Sequence, residues 1–243
     1  MAHGTPDWGL TAGTVTTYQL SDLAELAARL GSIVTFDRRG EVIFLETFED
    51  GLHRWNTSPA GTGAAVDLSR ASARSGGHSC RLRTGSTGWT AAGIDNRVGP
   101  PTLSPLGLEV SFAMADTLKE FVAQLIVYTG SRVQAYRFRY VSASKIVQVW
   151  TAAGAYQTVI ANVNLVANAD AYHTLKFVVD PVNEIYVRCL LNALSGDVSL
   201  IAPQAIDDPT SPHLHVDLEA IGSLATNLTS YVDDVIVTQN EPV

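Results

Sequence analysis

From residue 46 onward the chain repeats one pattern: a short run in which apolar and polar residues alternate, closed by a turn containing Gly, Pro, Ser or Asn. Leu108, Val110, Phe112 and Met114 point one way while Glu109, Ser111 and Ala113 point the other. The same period of two returns at His173, Leu175, Phe177 and Val179, and at Ile185, Val187, Cys189 and Leu191. Such alternation belongs to strands with one buried face. Many of them in series, with no convincing helix among them, predict an antiparallel sandwich or barrel. A chain of 243 residues can bury a single large core. With 46% hydrophobic and only 16% charged residues, general disorder is excluded and either extensive burial or contact with other subunits is expected, the latter as a homo-oligomer.

The preface differs. Residues 1–14 carry three glycines, one proline and little periodicity, and read as an arm. Ser21 as N-cap, Asp22 in the first turn, Arg29 in the last and Gly31 as the stop predict a short helix over Ser21–Leu30. Ile33–Phe36, the turn Asp37-Arg-Arg-Gly40 and Val42–Leu45 predict a β-hairpin. The expected division is an attachment element at 1–45 and a sandwich at 46–243.

A net charge of −8 opposes binding to a phosphate backbone, so nucleic acid is not an expected partner. Arg137 and Arg139 share one strand face and read as a solvated surface. The beginning of the sequence shows no basic region followed by an apolar one, and runs such as Phe121–Tyr128 fall far short of the roughly 20 residues a spanning helix needs, so neither a secretory signal nor a membrane partner is expected. Cys80 and Cys189 are in phase with apolar neighbours and read as buried thiols, a disulfide between them being the alternative.

Phe48-Glu-Asp-Gly51 with Trp55, then Ala73-Arg-Ser-Gly-Gly-His-Ser-Cys-Arg-Leu82, then Val232-Asp-Asp-Val-Ile-Val237 resemble the jelly-roll sandwiches of carbohydrate-binding modules and related concanavalin-like domains, over about residues 46–238. The resemblance implies a structural calcium ion held by Glu49 and Asp233, with Glu46, Asp50 and Asp234 as alternates and carbonyls near Ser75 and His78 contributing. Calcium takes six to eight oxygen ligands, which such a set could provide. Strand alternation places adjacent Asp233 and Asp234 on opposite faces, so one of the two is expected to face the ion. With its preface, the whole arrangement resembles structural proteins of tailed bacteriophages, which implies a virion location and a capsid decoration, head-fibre or tail-associated role among other virion subunits.

Sugar binding would need aromatic platforms. Tyr136, Phe138 and Tyr140 line one strand face that reads as core, leaving Trp89, Trp150 and Tyr156, nearer turns, as glycan-binding candidates. His213, His215, Asp217 and Glu219 share a strand face that either coordinates a metal or faces solvent. No nucleophile elbow, phosphate loop or dinucleotide fingerprint is present, and no convincing acid pair is visible. The expectation is a noncatalytic virion structural protein anchored by its first segment, with Trp8, Leu10 and Tyr18 as assembly contacts. The alternative is a soluble carbohydrate-binding module.

Overall fold

A computed structural model of the chain describes residues 39–88, 90–99, 102–223 and 225–243. These residues form sixteen strands and no helix. Eight strands build sheet A: β1 (Glu41–Glu46), β3 (Ala65–Ser69), β4 (Ser79–Arg83), β6 (Leu106–Met114), β11 (His173–Asp180), β12 (Ile185–Leu191), β13 (Leu194–Gly196) and β16 (Thr229–Gln239). The other eight build sheet B: β2 (Asn56–Ala60), β5 (Ala91–Val98), β7 (Glu120–Tyr128), β8 (Arg132–Val141), β9 (Ile146–Trp150), β10 (Tyr156–Ile160), β14 (Gln204–Asp207) and β15 (His213–Ile221). Sheet A runs β13-β12-β11-β6-β16-β4-β3 and sheet B runs β10-β9-β8-β7-β15-β5-β2, and the neighbours pair antiparallel. The result is the expected all-β antiparallel sandwich.

Alternating side chains from the two sheets meet between them. Phe112 of β6 stacks on Phe121 of β7 with centroids 4.0 Å apart, and Phe138 of β8 lies parallel to Phe177 of β11. Tyr136, Phe138 and Tyr140 are core, as their alternation requires. Cys80 and Cys189 are both buried and free, so they pack as small hydrophobes and do not form the alternative disulfide.

Three features depart from the sequence expectations. Glu41–Glu46 pairs with β16, from Glu41 opposite Gln239 to Glu46 opposite Val235, and buries Phe44 in the core. The division drawn at residue 45 therefore falls inside a sandwich strand: an alternating segment joins the partner that buries its apolar face, whatever its distance in sequence. Of the predicted hairpin, Gly40 does adopt the left-handed backbone with φ +88°, while Ile33–Phe36 and the predicted helix Ser21–Leu30 lie outside the described residues. The second departure is that β6 is buried along both faces, Glu109 and Ser111 included. Part of that cover is the segment after β16, where Glu241 lies over Gly107 and pairs with Lys176 at 2.8 Å and Arg188 at 2.8 Å. The third lies in β16 itself. Its first half pairs with β4 as far as Val232 and its second half with β1 from Val235 onward. Where the partner changes, the register with β6 slips and Asp234 takes a left-handed backbone with φ +46°, a β-bulge.

Candidate functional site

The bulge opens a gap between the end of β1 and the start of β4, and the loops at 47–50 and 70–78 meet over it. The bulge also turns both carboxylates toward the 70–78 loop, contrary to the expectation from simple alternation. Asp233 accepts hydrogen bonds from the backbone N–H groups of Arg74 (2.6 Å), Ser75 (3.1 Å) and Asp234 (2.8 Å). Asp234 Oδ1 accepts from the Ser75 hydroxyl at 2.7 Å, while its Oδ2 is buried with no partner among the described residues. Glu49 reaches the same loop from the other side, accepting from Gly77 N, His78 N and the His78 ring. Burial and the Asp234 charge push Asp233 up to about 7 despite its three donors. Asp234 is raised by burial, with Glu49 adding to the shift and Ser75 and Arg74 opposing it. Glu49, exposed and held by Gly77 and His78, is lowered.

Two other expected ligands stand elsewhere. Glu46 points into the turn after β1, where it accepts from Phe48 N and Trp55 Nε1 and sits 3.6 Å from Arg54. Asp50 is exposed on the turn. No three His, Cys, Asp or Glu side chains converge on one point among the described residues. A cation in the gap would rest on Asp233, Asp234 and Ser75, with loop carbonyls completing an oxygen shell. The orphan Asp234 oxygen and the paired buried carboxylates fit a hard cation such as calcium.

The outer face of sheet B carries a cleft of about 800 Å³. Its floor is β15, β7 and β8, and Arg137, Arg139, Tyr156, Glu120 and Glu219 line it. Cross-strand register places these side chains: Val122 stands between Glu219 and Arg139, and Gln124 stands between Asp217 and Arg137. Arg137 donates from Nε to Gln124 (2.9 Å) and from Nη1 to the Tyr156 hydroxyl (3.3 Å). Arg139 donates to Gln148 (2.9 Å) and to Glu120 (3.0 Å) while its guanidinium covers the Tyr156 ring at 3.4 Å. Trp150 meets Tyr156 edge to face at 4.7 Å, its indole N–H bonded to Gln204. The arginines read as a solvated face are thus the fixed floor of a cleft. Local alternation cannot show this, because it gives the face and not the shape of the sheet. Two of the three aromatic candidates, Trp150 and Tyr156, pack on each other, but only Tyr156 lines the cleft and one of its faces is taken by Arg139. Trp89 lies outside the described residues, as do Trp8, Leu10 and Tyr18.

Asp95 was not singled out from sequence. It stands on β5 directly opposite Asp217 on β15, receives a hydrogen bond from Asn56 Nδ2 at 2.9 Å, and faces His215 Nε2 at 3.3 Å. Burial raises the Asp217 pKa, with His215 and Arg137 pulling against it and Asp95 adding to the rise. No sequence signal could have found this pair, since the strands that carry it are over a hundred residues apart.

No protein-family model and no curated protein sequence matches the chain. Solved structures do. An endo-β-1,4-glucuronan lyase from Trichoderma reesei superposes with a TM-score of 0.55 at 14% identity, covering 82% of this chain and 96% of that one. A cellulose-induced protein, Cip1, gives 0.54 at 14% identity, with 80% and 96% covered. A carbohydrate esterase from Shiga toxin-encoding bacteriophage phi24B gives 0.52 at 16% identity, with 84% and 100% covered. At such identities the likeness is one of fold, a jelly-roll-like sandwich shared over 80–84% of this chain. It corrects the expectation of a noncatalytic chain: proteins named as a lyase and an esterase are built on the same sandwich, so the architecture gives no ground for excluding an enzyme.

Proposed function

We propose that the chain is a carbohydrate-active sandwich that holds a glycan in the cleft of sheet B. The observation that carries this reading is the fixed array Gln124–Arg137–Tyr156 beside Glu120–Arg139–Gln148. Planar donors and acceptors held by one another before a ligand arrives match the adjacent hydroxyls of a sugar ring and spare the cost of ordering them on binding. Trp150 packs behind Tyr156 and holds that ring in place. That the neighbours named above include proteins named for carbohydrates agrees with this reading at the level of fold.

The test is isothermal titration against a panel of soluble oligosaccharides with wild type, Arg137→Met and Tyr156→Ala. Loss of a charged hydrogen-bond donor costs about 1.5–3 kcal/mol, so roughly 10- to 100-fold weaker binding is expected for Arg137→Met. Equal affinities across the three proteins, or no glycan bound by any of them, would sink the reading.

Calcium in the Asp233–Asp234 gap is proposed on the orphan Asp234 oxygen, and its role there is to neutralise two buried carboxylates. Placement on a phage particle through residues 1–38, with Trp8, Leu10 and Tyr18 in contact with other virion subunits or copies of the chain, is a separate proposal. What favours it is that β1 joins sheet A while the cleft opens on sheet B, so the first segment can be held without the attachment of β1 blocking the cleft. Deleting residues 1–20 should leave the sandwich folded and abolish incorporation into particles; incorporation at wild-type level would refute it.

A further inference from the structure

We propose that the chain also cleaves the glycan it holds, hydrolysing a glycosidic bond with Asp217 as proton donor and Asp95 as nucleophile. This inference rests on the glycan reading above and adds an activity to it. The pair does not stand alone, because it borders a formed cleft: Glu219, two residues along the same face of β15, and Arg137, beyond Gln124 in the Asp217 row, both line that cleft. Asp217 stands beside both on the same sheet face at the edge of the cleft, so a sugar chain that extends past Arg137 and Glu219 on that side meets it.

Directly opposed residues of antiparallel strands hold their Cβ atoms about 4.5–5.5 Å apart on one face of the sheet. Retaining glycosidases need carboxyl groups roughly 5–5.5 Å apart, close enough for one to attack the anomeric carbon itself. The Asp95–Asp217 register sets the two side chains side by side on one face, so that carboxyl groups one bond beyond those Cβ atoms can reach that separation.

The two acids also sit in different surroundings, as two roles require. Asp95 is anchored by Asn56 Nδ2 and faces His215, whose Nε2 makes no hydrogen bond of good alignment among the described residues. Asp217 is half-buried. Charged and titratable groups reach it from every side: Asp95 from β5, His215 and Glu219 from its own strand, and Arg137 from β8 past the neutral Gln124 of β7. Burial dominates and favours its protonated form.

In the first step an Asp95 oxygen bonds to the anomeric carbon while the bond to the leaving sugar breaks. The electron pair goes to the leaving oxygen, which takes the Asp217 proton. In the second, water attacks the anomeric carbon and gives its proton to Asp217, and the bond to Asp95 breaks with its electron pair returning to the carboxylate. One glycosidic bond and one water are consumed, two sugar chains result, and nothing is oxidised or reduced.

The experiment offers the full chain soluble β-glucan, α-glucan, xylan, mannan, galactan and glucuronan, measuring binding by calorimetry and cleavage by release of reducing ends. Proton magnetic resonance follows the anomer formed first. The expected result is that a bound polysaccharide is cut with retained configuration. Turnover should fall as pH rises through the elevated Asp217 pKa. Asp217→Asn should lose about 100- to 10,000-fold in rate at nearly unchanged affinity. Retained affinity certifies its fold, and Asp95→Asn provides a second variant with the same expectation. Binding without cleavage, unchanged rates in both variants, or an inverted product would overturn this inference while leaving glycan binding intact. Failure of every polysaccharide to bind would overturn the glycan reading, and this activity with it.

Discussion

Removing divalent cations should make the stability of this protein fall as pH rises, and adding calcium should abolish the part of the fall that arises at the gap in β16. The gap in β16 sets the size of the effect. Asp233 is raised from 3.8 in the unfolded chain to about 7 by burial and by Asp234. Between those values the folded, metal-free protein keeps a proton that the unfolded chain has released, so the folded state is favoured at low pH and loses that advantage up to about pH 7. At about 1.4 kcal/mol per pH unit the full displacement is roughly 4 kcal/mol. Water at the loop rim, where Glu49 is 41% exposed, screens part of this, leaving about 2–4 kcal/mol. For a sandwich of this size that is about 5–15 °C in Tm. Asp234, also raised, adds in the same direction. Asp217 does so too from outside the gap, whereas His173, lowered by burial, favours the folded state as pH rises. Comparing EDTA with calcium at each pH cancels Asp217 and His173, because neither lies at the gap. The assay is thermal unfolding by circular dichroism from pH 4.5 to 8 in both conditions. A calcium-minus-EDTA difference in Tm that fails to widen from pH 4.5 to 8 would refute the reasoning.

Other outcomes follow from the core. Phe112→Ala removes a fully buried ring stacked on Phe121 and should cost about 3–5 kcal/mol, read as a shift of the urea midpoint at unchanged slope. Cys80 and Cys189 should resist Ellman's reagent in the folded protein, since burial pushes both thiols up, Cys189 to about 12; both should react promptly in urea, and fast labelling of the native state would contradict their placement.

The strands and the faces they bury were legible because a two-residue period records which side of a strand is dry, as at Tyr136–Tyr140, whereas at Leu108–Met114 the polar side is covered as well by distant segments that leave no local mark. Pairing was not legible. Nothing near Val42–Leu45 names β16 as its partner, and nothing near Asp95 names Asp217, because register between distant strands is decided by the assembled core. The approach of Glu49 and Asp233 to one loop was anticipated from motif resemblance. Asp234 was named only as an alternate; that it turns to the loop together with Asp233 was not anticipated, since the left-handed turn at Asp234 arises where β16 changes partner, and a change of partner leaves no local mark. Arg137 and Arg139 show the same limit, their outward face being a cleft floor only once the strands of sheet B are assembled side by side.

The pairing of Glu41 with Gln239 has a mechanical consequence. A chain entering at Gly40 and leaving at Asn240 does so at one corner of sheet A, where Asn240 also bonds the Glu41 carboxylate at 2.8 Å. Tension applied across those two points would peel β1 from β16 one rung at a time instead of shearing the whole ladder at once. The first rungs to open lie beside Glu241, whose pairs with Lys176 and Arg188 act as a clasp at the start of the tear. A pull that passes the clasp runs down β1 to Glu46 and Val235, next to the Asp233–Asp234 gap. The corner where the chain enters and leaves the sandwich and the proposed cation site are therefore the two ends of a single seam.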